Sequence, residues 1–236
     1  MHYLIDRLVN KAIERSQLER VEKLKIKTDW NPDIAISRDP GSGGKVIAKK
    51  LAKQLGWQLF NKALMLELSK ELGMPTEQLS HVDEHSRSWA TDFVHSILNP
   101  DYVSDIMYIT HLKQILLHAS KRGDMVILGR GANLVLPPDK CLRVRITASL
   151  KTRVENFYKY EKTKTKLEAS NLVKHLGDQR NRFIKQYFGT NPHNPWNYDL
   201  VISTDHLTPD QAVEIILQAY KSKFPDDAAR LKSKLS

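Results

Sequence analysis

Three glycines within four residues, Gly41, Gly43 and Gly44, stand between an apolar run, Ile34-Ala-Ile-Ser37, and a helical pattern that opens at Lys45 and continues to about Leu55. A β-type run that empties through glycines into a helix is the first half of a βα unit, so the chain is committed early to an α/β sheet. The turn has a chemistry of its own. Closely spaced glycines let successive backbone N–H groups face one point, the helix adds its positive N-terminal end, and Lys45 adds a mobile cation. Together they form a cradle for phosphate, and the occupant expected is a nucleotide polyphosphate.

Against the phosphate-loop pattern G-x-x-x-x-G-K-[ST], Gly44-Lys45 are in register, while Asp39 stands at the first glycine and Val46 at the hydroxyl position. That hydroxyl ordinarily ligates the Mg2+ that bridges the β- and γ-phosphates. Ser42 and Ser37 are the neighbouring hydroxyls that stay open as substitutes, and the metal ligand is unassigned.

Length and charge narrow the rest. The 236 residues suffice for one α/β domain with inserted subdomains, and 41% hydrophobic residues give it a sizeable core. No apolar run reaches the ~18 residues of a membrane span and the N-terminus has no secretory core, so a cytoplasmic location is expected. Cys141 is alone, which excludes an intramolecular disulfide; at the start of a strand it reads as a buried small hydrophobe. A net charge of +10 implies polyanionic partners, with nucleic acid a disfavoured alternative to phosphorylated small molecules.

Residues 1–31 form an N-terminal amphipathic extension, its apolar positions Leu4, Ile5, Leu8, Val9, Ala12 and Ile13 beside Arg7, Lys11 and Arg15. It is expected to pack on the domain or on a second subunit, which would make a homodimer; lying on an anionic membrane is the less favoured alternative for a basic amphipathic helix without a Trp or Phe anchor. The main domain is expected over 32–224 and a charged tail over 225–236. Strands are predicted at Gly56–Phe60, within Gly123–Ala132 where the strand empties into a second glycine-containing loop, at Leu142–Ala148 and at Tyr198–Ser203, and helices over 61–72, 101–121, 149–160, 164–176, 178–188 and after Thr208-Pro209. This alternation argues for a parallel sheet covered on both faces, with its site at the carboxyl ends of the strands. His81, Asp83, Glu84 and His85 cluster in a polar stretch read as a solvated loop, and Trp57, Trp89 and Trp196 read as packing residues.

Four segments together resemble the cytidylate kinase-like family: Ser37-Arg-Asp-Pro-Gly-Ser-Gly-Gly-Lys-Val-Ile-Ala48, Gly129-Arg-Gly-Ala132, Ile146-Thr-Ala-Ser149 with Arg153, and Arg180 through Ile202. The resemblance runs over about 33–222. It implies a P-loop NTPase fold of three layers around a central parallel sheet, an NMP-binding insertion at about 60–100 and a helical lid at about 153–190. It further implies ATP and Mg2+ as cofactors and phosphoryl transfer to a nucleoside monophosphate, CMP or dCMP first. Gly41, Ser42, Gly43, Gly44, Lys45 and Val46 would bind the donor. Lys45, Arg130, Arg153 and Arg180 would be catalytic, with Arg130, Asp178 and Arg182 on the acceptor. The chain departs from the pattern at Gly131 and Asn61, where Asp is usual, and in the short Asp178-Gln-Arg180. Those departures leave two alternatives open: a non-catalytic nucleotide-sensing or nucleic-acid-associated protein on the same fold, and a kinase of another small acceptor.

Overall fold

The computed structural model describes residues 31–60, 62–72, 105–161 and 163–228. The N-terminal amphipathic pattern, the cluster from His81 to His85, Asn61 and the last residues of the tail lie outside the described residues.

Five strands form one all-parallel sheet, in the order β2-β3-β1-β4-β5. They are β1 (Asp33–Arg38), β2 (Gln58–Phe60), β3 (Met125–Leu128), β4 (Cys141–Thr147) and β5 (Leu200–Ser203). Strands buried on both faces read as continuous apolar runs, and β3, Met125-Val-Ile-Leu128, is buried throughout. Alternation divides the core into two layers. Ile34, Ile36, Val126 and Leu128 face one side with Ile47, Leu51, Val213 and Ile216. Ala35, Met125 and Ile127 face the other with Leu68, Leu112, Ile115 and Leu116.

The first layer is covered by α1 (Gly44–Leu55) and by α7 (Pro209–Lys223). Helix α1 stops at Gly56, whose left-handed backbone (φ 66°) lets its N–H reach the carbonyls of Ala52 and Lys53. Helix α7 starts in a capping box between Thr208 and Gln211, with Pro209 at its first position. Here Trp57 packs edge-on against Tyr220 at 5.3 Å, and the Tyr220 hydroxyl donates to the Pro32 carbonyl at 3.0 Å. The second layer is covered by α2 (Lys62–Glu71), α3 (Asp105–Ser120) and the short α4 (Ala132–Val135).

Two more helices lie over the carboxyl edge of the sheet, α5 (Leu150–Tyr160) and α6 (Lys166–Phe188). The expectation of separate helices over 164–176 and 178–188 is corrected, since α6 is one helix of 23 residues. A Cβ at Gly177 would meet nothing within 4 Å, and the buried stripe Ala169, Val173, Leu176, Gln179, Phe183 continues past it. A helical glycine weakens a helix by roughly 1 kcal/mol, and the packed stripe outweighs that. Trp57 is buried as expected, but Trp196 is 85% exposed and packs no core. Cys141 is fully buried, and desolvation pushes its thiol pKa well up, so it is inert.

Candidate active site

The glycine loop leaves β1 at the carboxyl edge and is tied to its neighbours by backbone and hydroxyl groups. Asp39 N–H donates to the Ile146 carbonyl at 3.0 Å, and the Thr204 hydroxyl donates to the Ser42 carbonyl at 3.0 Å. The Ser42 hydroxyl, fully buried, donates to the carbonyls of Asp39 (2.9 Å) and Ile146 (3.2 Å). It is therefore turned into the protein and unavailable to a metal.

Gly43 adopts φ 79° and delivers the chain into α1, whose first turn carries no acid and no side-chain cap. Val46 and Ile47 N–H return to the Gly43 carbonyl at 2.9 and 3.1 Å, whereas Gly44 and Lys45 N–H have no acceptor among the described residues. Orphan donors at the positive end of a twelve-residue helix, with Lys45 half-buried beside them, form an anion site.

This loop lines a cavity of about 500 Å3 together with Phe157, Tyr160, Leu207 and Pro209. A lining that combines a polar cradle with apolar and aromatic side chains suits a nucleoside polyphosphate. Helix α5 roofs it at very close range. A Cβ on Gly41 (φ 78°) would stand 2.2 Å from the Arg153 carbonyl oxygen, so only glycine fits. Asn156 Nδ2 donates to the Gly41 carbonyl at 3.0 Å. The N-terminus of α5 is held by Asp205, which accepts from Ser149 N–H at 3.0 Å and from the Ser203 hydroxyl at 3.1 Å. Hydrogen bonds from Thr152 and Ser149 hold the Asp205 carboxyl down to about 2.

A second, smaller cavity of about 40 Å3, with room for about three waters, opens between the ends of β1, β3 and β4 and helix α6. Its lining includes four arginines, Arg38, Arg130, Arg145 and Arg180, against one carboxylate, Asp39. Arg130 emerges from three consecutive left-handed residues, Gly129 (φ 80°), Arg130 (φ 58°) and Gly131 (φ 67°). Only 8% of it is exposed, and its guanidinium lies 5.8 Å from the Phe60 ring centroid. Arg180 reaches from α6 and donates to the Arg38 carbonyl at 3.2 Å. Burial above all, with the Arg145 charge added, pushes Arg180 down to about 10 despite the opposing pull of Asp39.

Arg145 holds the floor of this cavity. It pairs with Asp39 at 2.7 Å and reaches His193 Nδ1 at 3.2 Å, while the Thr147 hydroxyl donates to the other Asp39 oxygen at 2.6 Å. Burial first, then the Arg145 charge, lowers the His193 pKa, which keeps that imidazole neutral near pH 7. Gly131, which replaces the aspartate usual in the family pattern, has a physical reason: a Cβ there would lie 2.4 Å from the Phe188 ring at the end of α6.

Of the residues singled out in the sequence, the structure brings Gly41 to Val46, Arg130 and Arg180 to the two cavities. Arg153 contributes a backbone carbonyl against Gly41, and its side-chain Nε is buried without a partner among the described residues. Asp178 and Arg182 are exposed on α6 and line neither cavity. Two residues that sequence reasoning passed over, Arg38 and Arg145, are central. Their signal was position: each is an arginine near the carboxyl end of a strand that otherwise reads as core.

The residues fit a nucleoside triphosphate, because the cradle lines a cavity of about 500 Å3 that also has apolar and aromatic walls. They do not fit inner-sphere Mg2+ ligation. Val46 offers no hydroxyl, Ser42 is committed inward and Asp39 is paired with Arg145. Among the described residues no three His, Cys, Asp or Glu side chains gather as a metal group. No helix among them is long and apolar enough to cross a membrane.

A family model described as the cytidylate kinase-like family matches residues 33–206. The cytidylate kinase of Pyrobaculum aerophilum is 25% identical over 185 residues, 78% of this chain and 90% of that protein. That of Methanopyrus kandleri is 26% identical over 196 residues, 79% and 91% of the two chains. Among solved structures, an uncharacterized protein from Eubacterium ventriosum superposes with a TM-score of 0.60 at 22% identity, over 81% of this chain and 99% of its own.

Proposed function

Because the chain belongs to the cytidylate kinase-like family, we propose that it transfers the γ-phosphoryl group of ATP to a nucleoside monophosphate in the cytoplasm, with CMP or dCMP the first acceptor to test. The observation that carries the reading is the pairing of two unlike cavities at the carboxyl edge of the sheet. The larger has orphan N–H groups and apolar walls, the smaller is lined with arginines, and Arg38, Asp39, Pro40 and Arg180 line both. A donor site and an anion site that share a wall are what in-line transfer between two phosphates needs.

In this reading the loop N–H groups and Lys45 hold the donor phosphates, and Arg130 holds the acceptor phosphate. Arg180 stands between them, where negative charge spreads over the transferred group. The acceptor phosphate is ionised at neutral pH and attacks without a protein base; among the described residues the one carboxylate in the lining of the arginine cavity, Asp39, is engaged by Arg145 and Thr147. Arg153, Asp178 and Arg182 join only if α5 and α6 close further. Val46, Ser42 and Asp39 offer Mg2+ no side-chain ligand, so the charge neutralisation that the ion would supply would have to come with the nucleotide.

The test is ADP release with ATP and Mg2+ over all ribo- and deoxynucleoside monophosphates. Turnover with CMP or dCMP is expected, and refusal of every monophosphate overturns the reading. The collision that excludes a side chain at Gly131 favours one variant of it, a kinase whose acceptor is another small phosphate or alcohol, so the screen includes those too.

A further inference from the structure

Val46 follows Lys45 in the first turn of α1, at the position where the phosphate-loop pattern carries a hydroxyl. A β-branched apolar side chain in an amphipathic helix is ordinarily there to pack. This one does not: Val46 is 47% exposed, belongs to neither buried layer of the sheet and lines the donor cavity beside Lys45. The next residue, Ile47, is fully buried and begins the packed face of α1, which leaves Val46 off that face.

The side-chain oxygens around the loop are committed to the protein itself. Ser42 Oγ donates to the carbonyls of Asp39 and Ile146, and Thr204 Oγ1 donates to those of Ser42 and Thr147 at 3.0 and 3.2 Å. Three acids line the donor cavity: Asp39, Glu161 and Asp205. Asp39 pairs with Arg145 at 2.7 Å and accepts from Thr147 at 2.6 Å. Both oxygens of Asp205 accept from Ser149 N–H at 3.0 Å, so that carboxylate is spent on the start of α5. Glu161 caps the far end of α5, about 12 Å along the helix from Arg153 at Gly41. P-loop proteins hold their ion with the loop hydroxyl and with an aspartate outside the loop. Here β3, the strand beside β1, runs out into Gly129-Arg-Gly131, a cation in place of an acid.

We propose that the loop binds the phosphates of a nucleoside di- or triphosphate without holding their divalent ion, and that Val46 is the residue that uncouples nucleotide affinity from Mg2+. The proposal rests on the donor-site reading above and deepens it. The phosphate charge is met by the N–H groups of Gly44 and Lys45, by the Lys45 ammonium and by Arg180, which lines the same cavity. An ion on the phosphates removes part of the charge that these groups attract and gains no bond from the loop in return, so it adds nothing to affinity.

The test is calorimetry on the full chain with ADP and with an ATP analogue carrying an imido β,γ-bridge, each in Mg2+ and in EDTA. Wild type is expected to bind no more than about threefold tighter in Mg2+ than in EDTA, or to bind more weakly. Val46→Thr exchanges one methyl for a hydroxyl at an exposed position, which spares the fold. Its affinity is expected to rise roughly 10-fold in Mg2+ and to stay level in EDTA, the scale on which single groups around a metal act. Ser42→Ala is expected to unfold at a lower temperature, because two buried carbonyls lose their donor, with the Mg2+ ratio unchanged. A wild-type gain in Mg2+ above about threefold overturns the proposal, as does a Val46→Thr ratio equal to wild type or an altered ratio in Ser42→Ala. Absence of binding in both buffers overturns the donor site and the proposal together. No arm uses an acceptor, so a failed monophosphate screen would sink the proposed function and leave the Mg2+ result to stand or fall by itself.

Discussion

Replacing Gly41 by alanine tests whether the glycine loop and α5 are built as one unit. Two effects add at this position. The first is conformational: an alanine at φ 78° costs about 1 kcal/mol. The second is steric, and it acts on backbone. The new Cβ would lie 2.2 Å from the Arg153 carbonyl oxygen, 2.8 Å from its carbon and 2.9 Å from its Cα. A side chain could rotate away, but a helix carbonyl cannot, so α5 and the loop must separate by about 1 Å to reach ordinary contact. That separation loosens the Asn156 hydrogen bond to the Gly41 carbonyl, 3.0 Å in the native arrangement, which contributes about 1 kcal/mol. Urea unfolding of Gly41→Ala is expected to show a loss of about 2 to 3 kcal/mol. Steady-state phosphoryl transfer is expected to fall about 100-fold, because ångström displacements of positioning groups have effects of that size. Gly56→Ala is the control: it has φ 66° with nothing within 4 Å of its Cβ, at the far end of α1, and so carries the conformational term alone. If Gly41→Ala matched Gly56→Ala in both stability and turnover, α5 would not be docked on the loop and the reasoning would fail.

Asp33, fully buried at the start of β1, accepts from Met125 N–H at 3.0 Å and from the Ser120 hydroxyl, yet desolvation dominates and raises its pKa from 3.8 to about 7. Between those values the unfolded chain ionises while the folded one keeps its proton, so stability falls as pH rises from about 4 to 7 and is level beyond; Asp33→Asn should match wild type at pH 4 and exceed it by up to about 4 kcal/mol at pH 8, as read by denaturant unfolding. A constant difference across that range would contradict the buried, protonated carboxyl. Lys45→Ala is expected to lower turnover by at least about 100-fold with the circular dichroism spectrum and unfolding midpoint unchanged, because the side chain is half-buried and has no partner among the described residues; near-normal activity would remove Lys45 from the donor site. Asp205→Ala frees Ser149 N–H and the start of α5, so the KM for ATP should rise several-fold more than kcat falls, and an unaltered KM would detach that clamp from nucleotide binding.

What the sequence disclosed, and what it concealed, follows from the range over which each signal acts. The β1–loop–α1 unit was legible because every cue is local: an apolar run, glycines at the turn, and then Ile47, Ala48, Leu51, Ala52 and Leu55 at helical spacing. Arg38 and Arg145 are just as decisive, but a strand arginine acquires meaning only from its neighbours. Arg38 meets Gly129 and Arg145 meets Asp39 because β1 lies between β3 and β4, an order that periodicity does not encode. The same holds for Gly131, whose missing side chain is explained by Phe188 arriving from the end of α6.

Asp178 and Arg182 are a different case, because the information was present. Residues two apart on a helix point about 200° from one another, so once Arg180 turns toward Arg38 its neighbours at 178 and 182 must face away. Reading a break at Gly177 disguised this, since a short lid segment need not keep helical phase, whereas one helix from Lys166 to Phe188 must. The buried stripe Val173, Leu176, Gln179, Phe183 sets that phase, with Arg180 at its edge. Breaking the phase is therefore more damaging than removing either exposed charge. Deleting Gly177 would rotate everything before it by about 100° relative to Arg180 and lift Val173 and Leu176 from their packing. Asp178→Ala and Arg182→Ala should leave donor binding and stability within about 0.5 kcal/mol of wild type by calorimetry and urea unfolding. A large loss of ADP affinity in Arg182→Ala would mean that α6 turns when substrate binds, and that the exposed face of the helix, rather than the buried one, meets the nucleotide.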